Sequence, residues 1–321
     1  MPKLSVIVPC HNVQQFADDT LRSLANNAGP ATEFILVDDC STDATPEILD
    51  GWRQRLPHTT VIRHEENKGI AQSRNSGIDA ARGDYLTFLD GDDWYGPGYL
   101  DELVCTIEEL DCDFVRTDHV QSTGTTRVVR RAPAPVRDTV LHPRDVIAPP
   151  QAETMVDYPF VWAGVYRRSL FDDGAMRFAV DLRTAEDRLW TWRLHLRARS
   201  FAATGLLGMF YRRGVATSLT QIRDARQLDF IPAHDALLAD LAGDPQGERF
   251  LPKAVRTYCA LLAFHLANIR RYHRPVARRL KKRVTTALQG MPQDVLDTTL
   301  AGMDHERADK LRRFRTAGKA A

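Results

Sequence analysis

The chain of 321 residues has no Cys-x-x-Cys pair, and its five cysteines (Cys10, Cys40, Cys105, Cys112 and Cys259) are odd in number and widely spaced. That excludes a zinc ribbon or a scaffold stapled by close disulfides, and it points to free thiols in a reducing compartment. Cys10 and Cys40, at the ends of expected strands, read as small core fillers in preference to nucleophiles. No uninterrupted apolar run is long enough to cross a bilayer. The opening Met1-Pro-Lys-Leu-Ser-Val-Ile-Val-Pro9 has no basic segment followed by a long apolar one, so no secretory signal is expected. A cytoplasmic protein is expected, at most held at the inner face of a membrane.

An excess of charge is also missing. Lys and Arg number 43 against 42 Asp and Glu, a formal net charge of +1, so the whole chain does not have the field of a nucleic-acid binder. Neither Gly-x-x-x-x-Gly-Lys-Ser/Thr nor Gly-x-Gly-x-x-Gly occurs, which argues against a P-loop ATPase and a dinucleotide oxidoreductase. There is no internal repeat and no low-complexity tract.

With 43% hydrophobic and 26% charged residues, the composition is that of a globular protein with a sizeable core. Short β-branched or aliphatic runs at 4–8, 34–37, 60–63 and 86–89 alternate with helical patterns at 13–27, 45–57 and 70–81. Pro9 is expected to stop the first strand, and Pro46 to open the second helix. This alternation predicts a mainly parallel, doubly wound α/β sheet. A helix over 97–110 and strands over 114–118, 160–167 and 207–211 follow, with a helix over 184–196 between the last two. Residues 121–150 read as irregular, 125–131 forming one arm of a hairpin. Beyond about residue 226 strands vanish and long helical segments such as 253–269 take over. The expected division is therefore a catalytic domain over 1–225 and a helical region over 226–321.

Asp90, Asp92 and Asp93 follow the run Leu86-Thr-Phe-Leu89 directly. Carboxylates crowded at a strand end repel one another and lose hydration, a cost that a cation offsets. In parallel sheets that end is where ligands bind. An acidic turn is the competing reading, since Asp and Gly are ordinary turn residues. Asp38-Asp39 end another strand, Lys68, Arg74 and Asn75 lie between the two acidic pairs, and Arg212-Arg213 end a later strand. Acids for a metal and bases for phosphate together suit a nucleotide-diphosphate site.

Five motifs occur in one order: Leu4-Ser-Val-Ile-Val-Pro9; Ile35-Leu-Val-Asp-Asp39 with Ser41-Thr-Asp43; Asn67-Lys-Gly69 with Ser73-Arg-Asn75; Phe88-Leu-Asp-Gly-Asp-Asp93; and Ala185-Glu-Asp187. Over about residues 4–218 the chain thereby resembles an inverting family 2 glycosyltransferase of the GT-A fold. The resemblance implies a Rossmann-like, mainly parallel sheet with helices on both faces, plus a C-terminal helical extension. It also implies site roles. Pro9 and Asn12 would line the nucleotide pocket, and Asp39 would accept from a uracil ring, favouring a UDP-sugar donor. Arg74 would lie by the base or phosphates, and Asp90 by the ribose and donor sugar. Asp92 would bind Mn²⁺ or Mg²⁺, and Asp187, with Glu186 beside it, would be the catalytic base. Asp38 reads as structural, and the acids at 186–187 have a helix-capping reading of their own.

One departure stands out. Many family members carry a His shortly after the last sheet strand, whereas here the matching stretch Tyr211-Arg-Arg-Gly-Val-Ala-Thr-Ser218 has none. Arg213 and Ser218 are expected to meet the diphosphate instead, the guanidinium fork replacing metal charge. The acceptor is expected to be a hydroxyl on a glycan, a lipid-linked glycan or a small molecule. A nucleotidyltransferase would need a Gly-rich basic loop where Pro9-Cys-His-Asn12 stands; a non-catalytic scaffold built on the helical tail is the other competing class. The basic run 269–283 reads either as a surface for anionic lipid head groups or acceptor polymer, or as an ordinary solvated helix face.

Overall fold

The computed structural model describes residues 1–215 and 222–317. Contacts divide the chain into two compact units. The first comprises Met1–Asp145, Tyr158–Asp181 and Arg193–Val215. The second comprises Val146–Asp157, Leu182–Trp192 and the described part of Ala216–Ala321.

The first unit is built on a seven-stranded sheet. Its strands are β1 (Leu4–Cys10), β2 (Thr32–Asp38), β3 (Thr59–Arg63), β4 (Tyr85–Phe88), β6 (Phe114–Thr117), β9 (Gly164–Arg167) and β10 (Phe201–Thr204). They are ordered β10-β6-β9-β4-β1-β2-β3. All pairings are parallel except those of β9, which runs antiparallel between β4 and β6. β1 and β2 are buried over their whole lengths, as continuous aliphatic strands covered on both faces are. Each fully buried Val, Ile or Leu there contributes about 1.5–3 kcal/mol.

Helices α1 (Ala17–Ala25), α2 (Thr45–Arg53), α3 (Ile70–Ala80) and α4 (Tyr99–Leu110) connect the strands. In α1 the buried residues Ala17, Leu21 and Leu24 recur at helical spacing and form its core face. A second, four-stranded sheet holds β5 (Trp94–Tyr95), β11 (Met209–Arg212), β7 (His119–Thr123) and β8 (Thr126–Arg130) in that spatial order.

Pro9 does not stop β1, which continues to Cys10 and pairs it with Asp38. The reason is direction. The carbonyls of Lys3 and Ile7 accept from β4 and its flanks, while that of Cys10 accepts from Asp39 N–H. Odd residues of β1 therefore face β4, whose pairing with β1 ends at Ile7, so Pro9 removes a donor that has no strand to serve.

The second unit packs α6 (Phe230–Ala242), α7 (Gly247–Ala267), α8 (Arg274–Gly290), α9 (Gln293–Ala301) and α10 (His305–Ala317). Its apolar core joins Leu228, Val255, Leu262, Leu280, Val284 and Leu311. A cut at 225/226 reads the helical region as one continuous piece, yet two earlier segments group with it. Hydrogen bonds explain the grouping: Arg183 N–H donates to Asp229 (2.8 Å) and Thr184 Oγ1 to the Arg226 carbonyl (2.6 Å). The buried Lys253 ammonium bonds the Asp157 carboxylate and the Ala152 carbonyl. The helix α5 (Glu186–Arg197) contributes its first seven residues, Glu186–Trp192, to this unit.

Removing one member of a buried ion pair strands the other. Asp157→Ala leaves the Lys253 ammonium, 3% exposed, without its counter-charge. The expected loss is about 3 kcal/mol, visible as a lowered urea midpoint. An unchanged midpoint would show the pair to be energetically idle.

Candidate active site

Neighbouring strands β4, β1 and β2 all run in one direction, so their carboxyl ends lie side by side. The loops that leave them carry most of the residues singled out from sequence. The loop after β1 is stitched to the loop after β2. Asn12, in a left-handed conformation at φ 52°, receives Thr42 N–H on Oδ1 (2.8 Å) and gives its own N–H to Ser41 Oγ (3.0 Å). Asp38 caps the turn by accepting Ser41 N–H at 3.1 Å, the structural role expected of it.

Asp39 is buried, and its carboxylate is already well occupied. It accepts from the backbone N–H of Lys68 (2.8 Å) and of Gly69 (2.7 Å), and lies 2.7 Å from His64 Nδ1. Gly69, at φ 88°, adopts a conformation few other residues tolerate. The loop over 64–69 is thus anchored on Asp39, three of whose four acceptor positions are engaged. This explains Asn67-Lys68-Gly69, whose purpose sequence reading left open.

Asp90 follows β4 and is neutralised by Arg74 of α3, whose Nη2 lies 3.0 Å from Oδ1. The Arg74 side chain is buried, and its guanidinium lies 5.3 Å from the centre of the Phe178 ring. Asn75 holds Phe178 there by a reciprocal pair of hydrogen bonds, each 2.9 Å, to its backbone N–H and carbonyl. Gly91 lets the acidic loop press against β1, since a Cβ there would sit 3.0 Å from the Pro9 carbonyl.

Burial and the Asp90 charge push the Asp92 carboxyl up to about 6. Asp93 is fully buried and, for the same reasons with Asp92 added, is pushed well above the usual carboxylate range. It faces inward. Its Oδ1 accepts the Arg212 N–H at 2.7 Å, tying β4's end to β11. Thr20 Oγ1 completes the brace on the carbonyls of Gly91 (3.0 Å) and Asp93 (2.7 Å).

Arg212, the last residue of β11, and Arg213 just after it part company, as successive residues of an extended chain do. Arg212 turns to the acidic loop. Its Nε donates to the Asp92 carbonyl (2.8 Å), and its guanidinium sits between Phe16 (4.8 Å) and Trp94 (4.6 Å). Arg213 is exposed, lies against the Tyr211 ring at 5.4 Å, and makes no ion pair among the described residues. Sequence reading singled out Arg213; strand alternation is the signal that separates the roles. Ser218 lies outside the described residues.

Glu186 and Asp187 open α5 and group with the second unit. Glu186 is buried, and Asp187 Oδ1 accepts the Arg188 N–H at 2.8 Å. A helix amino terminus favours the ionised form of both. Ala185 just before them sits at φ 61°, a strained conformation for a residue with a Cβ.

Among the described residues no three of His, Cys, Asp and Glu form a ready ion cage. Asp90 and Asp92 offer oxygens, which suit a hard divalent cation that takes its remaining ligands from phosphate and water. A groove of about 470 Å³ lined by Arg53, Arg55 and Arg82 lies by the first residues of β3, the wrong end of a parallel sheet for a substrate.

This arrangement of strands and acidic loop is the GT-A fold, and the chain belongs to a known family. The model described as Glycosyl transferase family 2 matches residues 5–175, more than half of it. The chain is 31% identical over 194 residues to the "Uncharacterized glycosyltransferase EpsJ" of Bacillus subtilis, covering 58% of this chain and 54% of that protein. It is 30% identical over 216 residues to the "Poly(ribitol-phosphate) beta-N-acetylglucosaminyltransferase TarS" of Staphylococcus aureus, covering 66% of this chain and 35% of that one. The crystal structure of S. aureus TarS 1-349 in complex with UDP-GlcNAc matches with a TM-score of 0.74 at 20% identity, over 99% of this chain and 92% of that one. The chain therefore spans about half the length of EpsJ and a third of TarS, and the likeness in fold includes its C-terminal helices.

A carboxyl raised from 3.8 to about 6 on folding binds its proton more tightly in the native state. Its favourable contribution is complete below about pH 4 and is lost as pH rises through about 6. Asp92→Asn is therefore expected to raise stability at pH 8 in EDTA by about 2–3 kcal/mol, with little change near pH 4, in urea melts at both pH values. Equal shifts at the two would refute the raised value.

Proposed function

We propose that this chain transfers a sugar from a nucleotide-diphosphate sugar, a UDP-sugar by preference, to an acceptor hydroxyl with inversion at the anomeric carbon. Family membership and one observation carry the reading: the ends of β1, β2 and β4 bring Asp39, the Arg74–Asp90 pair, Asp92 and Arg212 to one edge of one sheet. The pairing of acids with arginines fits a diphosphate better than an uncharged ligand.

The residues divide the work. Pro9, Asn12 and Asp39 line the nucleotide end, Asp39 with its remaining acceptor position on the base. Arg74 pairs with Asp90 and holds it in place beside the ribose and donor sugar. Arg212 fixes the backbone at Asp92. Arg213, which has no carboxylate partner among the described residues, meets the diphosphate, and Ser218 is assigned with it from the family pattern. A Mn²⁺ or Mg²⁺ ion held by Asp92 would supply Lewis-acid stabilisation of the leaving diphosphate. Asp187, ionised at its helix terminus with Glu186 beside it, takes the proton of the attacking hydroxyl. Attack from the face opposite the leaving group with one such base inverts the configuration, by the geometric logic of inverting glycosidases. The similarity to TarS suggests an acceptor in a cell-envelope polymer, with lipid-linked glycans and small molecules as the other classes.

Asp187→Asn keeps the shape and removes the base. UDP affinity by calorimetry in Mn²⁺ is expected to stay within about twofold, while UDP release from UDP-sugars in the presence of acceptor falls by a factor on the order of 10²–10⁴. Undiminished turnover by this variant would remove Asp187 from the mechanism.

A further inference from the structure

Helix α8 has two unlike faces. Leu280, Val284, Ala287 and Leu288 are buried in the helical core. Arg274, Arg278, Lys281 and Lys282, at helical spacing i, i+4, i+7 and i+8, are exposed on one stripe. Arg270 on the turn before the helix is exposed as well. None of these five makes an ion pair with a described residue. Arg307 and Arg313 of α10 make none either, while other cations of this unit pair. Arg226 pairs with Asp224, Lys310 with Glu306, Arg312 with Asp309 and Arg315 with Asp297. Arg279 and Arg283 act on Asp229, whose charge they favour. Phe264, in the last turn of α7, is 51% exposed and stands six residues before Arg270.

We propose that this stripe docks on a bilayer carrying anionic lipid head groups. Four cations within nine residues of helix span about 12 Å, a flat array suited to a surface of phosphates. Between Arg274 and Lys282 the exposed positions are Arg, Lys and Pro alone. No exposed aromatic ring or amide lies among them to grip a sugar, which is how glycan chains are held in oriented sites. Recognition by charge, with one exposed Phe six residues before Arg270 in the chain, is the chemistry of a reversible membrane contact.

Co-sedimentation of the full chain with vesicles tests the proposal. Binding to phosphatidylcholine vesicles containing phosphatidylglycerol is expected, weak binding to phosphatidylcholine alone, and release as salt rises toward 1 M, where the Debye length falls to about 3 Å. The triple variant Arg278→Gln, Lys281→Gln, Lys282→Gln keeps helix propensity and is expected to lose about a hundredfold in affinity, about fivefold per charge. Arg307→Gln, Arg312→Gln, Arg313→Gln removes the same net charge from α10 and is expected to bind as the wild type does. Equal loss in both variants overturns the proposal, since binding would then follow net charge and not this face. Binding to neutral vesicles as tight as to anionic ones overturns it too. So does capture by soluble polyphosphate with none by anionic vesicles, which would make the stripe a site for an anionic chain. Circular dichroism of both variants separates lost binding from lost fold.

Discussion

Asp90 and Asp92 stand at the end of a buried strand with Asp93 enclosed beside them, and the repulsion among the three is offset by arginines from distant parts of the chain. Arg74 arrives from a helix 16 residues earlier, Arg212 from a strand 120 residues later. Neither is a surface ion pair of negligible worth. Arg74 is buried over Phe178, and Arg212 lies between two aromatic rings while its backbone N–H holds Asp93. In such surroundings charge interactions weaken little with salt. Delete the arginines and the acidic loop loses its nearest positive charges; delete the carboxylates and the buried Arg74 guanidinium is stranded.

The sheet makes this arrangement possible at small cost. Because β1 lies between β4 and β2, a ligand above its end meets loops from all three strands. The second sheet has a narrower task, carrying Arg212 on β11 and pairing it with Trp94 on the two-residue strand β5. The loops are fixed by side chains to backbone groups: Asn12 to Thr42, Asp39 to Lys68 and Gly69, Thr20 to Gly91 and Asp93. Each net bond contributes about 1 kcal/mol, but together they leave the acidic loop little freedom to relax away from its own charge.

How far this was legible depended on whether the signal was local. β1 to β4 and α1 to α3 follow from aliphatic runs bounded by Pro, Gly and Asp, and they appear within a few residues of the expected bounds. The carboxylates were legible because they sit at strand ends. β5, β7 and β10 were not, since two to five residues of mixed character carry no periodicity and pair only because β11 or β6 lies beside them. The antiparallel insertion of β9 between β4 and β6 leaves no mark in its four residues. The hold of Asn75 on Phe178 spans 103 positions, and no spacing rule links the two. The grouping of Val146–Asp157 and Leu182–Trp192 with the C-terminal helices was invisible for the same reason: its contacts to Lys253, Asp229 and Arg226 join residues about 40 to 100 positions apart.

A net charge of +1 hides how charge is distributed. Several arginines and lysines of the helical unit, among them Arg226, Lys310, Arg312 and Arg315, have an acid at hand, and such pairs contribute little and specify little. Charge left without a counter-charge inside the chain is different, because nothing in folding rewards it. In the first unit burial, and after it the neighbouring Asp90 charge, drive Asp92 toward its neutral form. In the second unit five cations on and before α8 make no ion pair among the described residues. Both imbalances work against the isolated chain, one through burial and the other through mutual repulsion. On the function and the docking proposed above, each is relieved by an external partner of the opposite sign, a cation with a diphosphate in one case and an anionic surface in the other. The places where the chain fails to neutralise itself are therefore the places to look for what it binds.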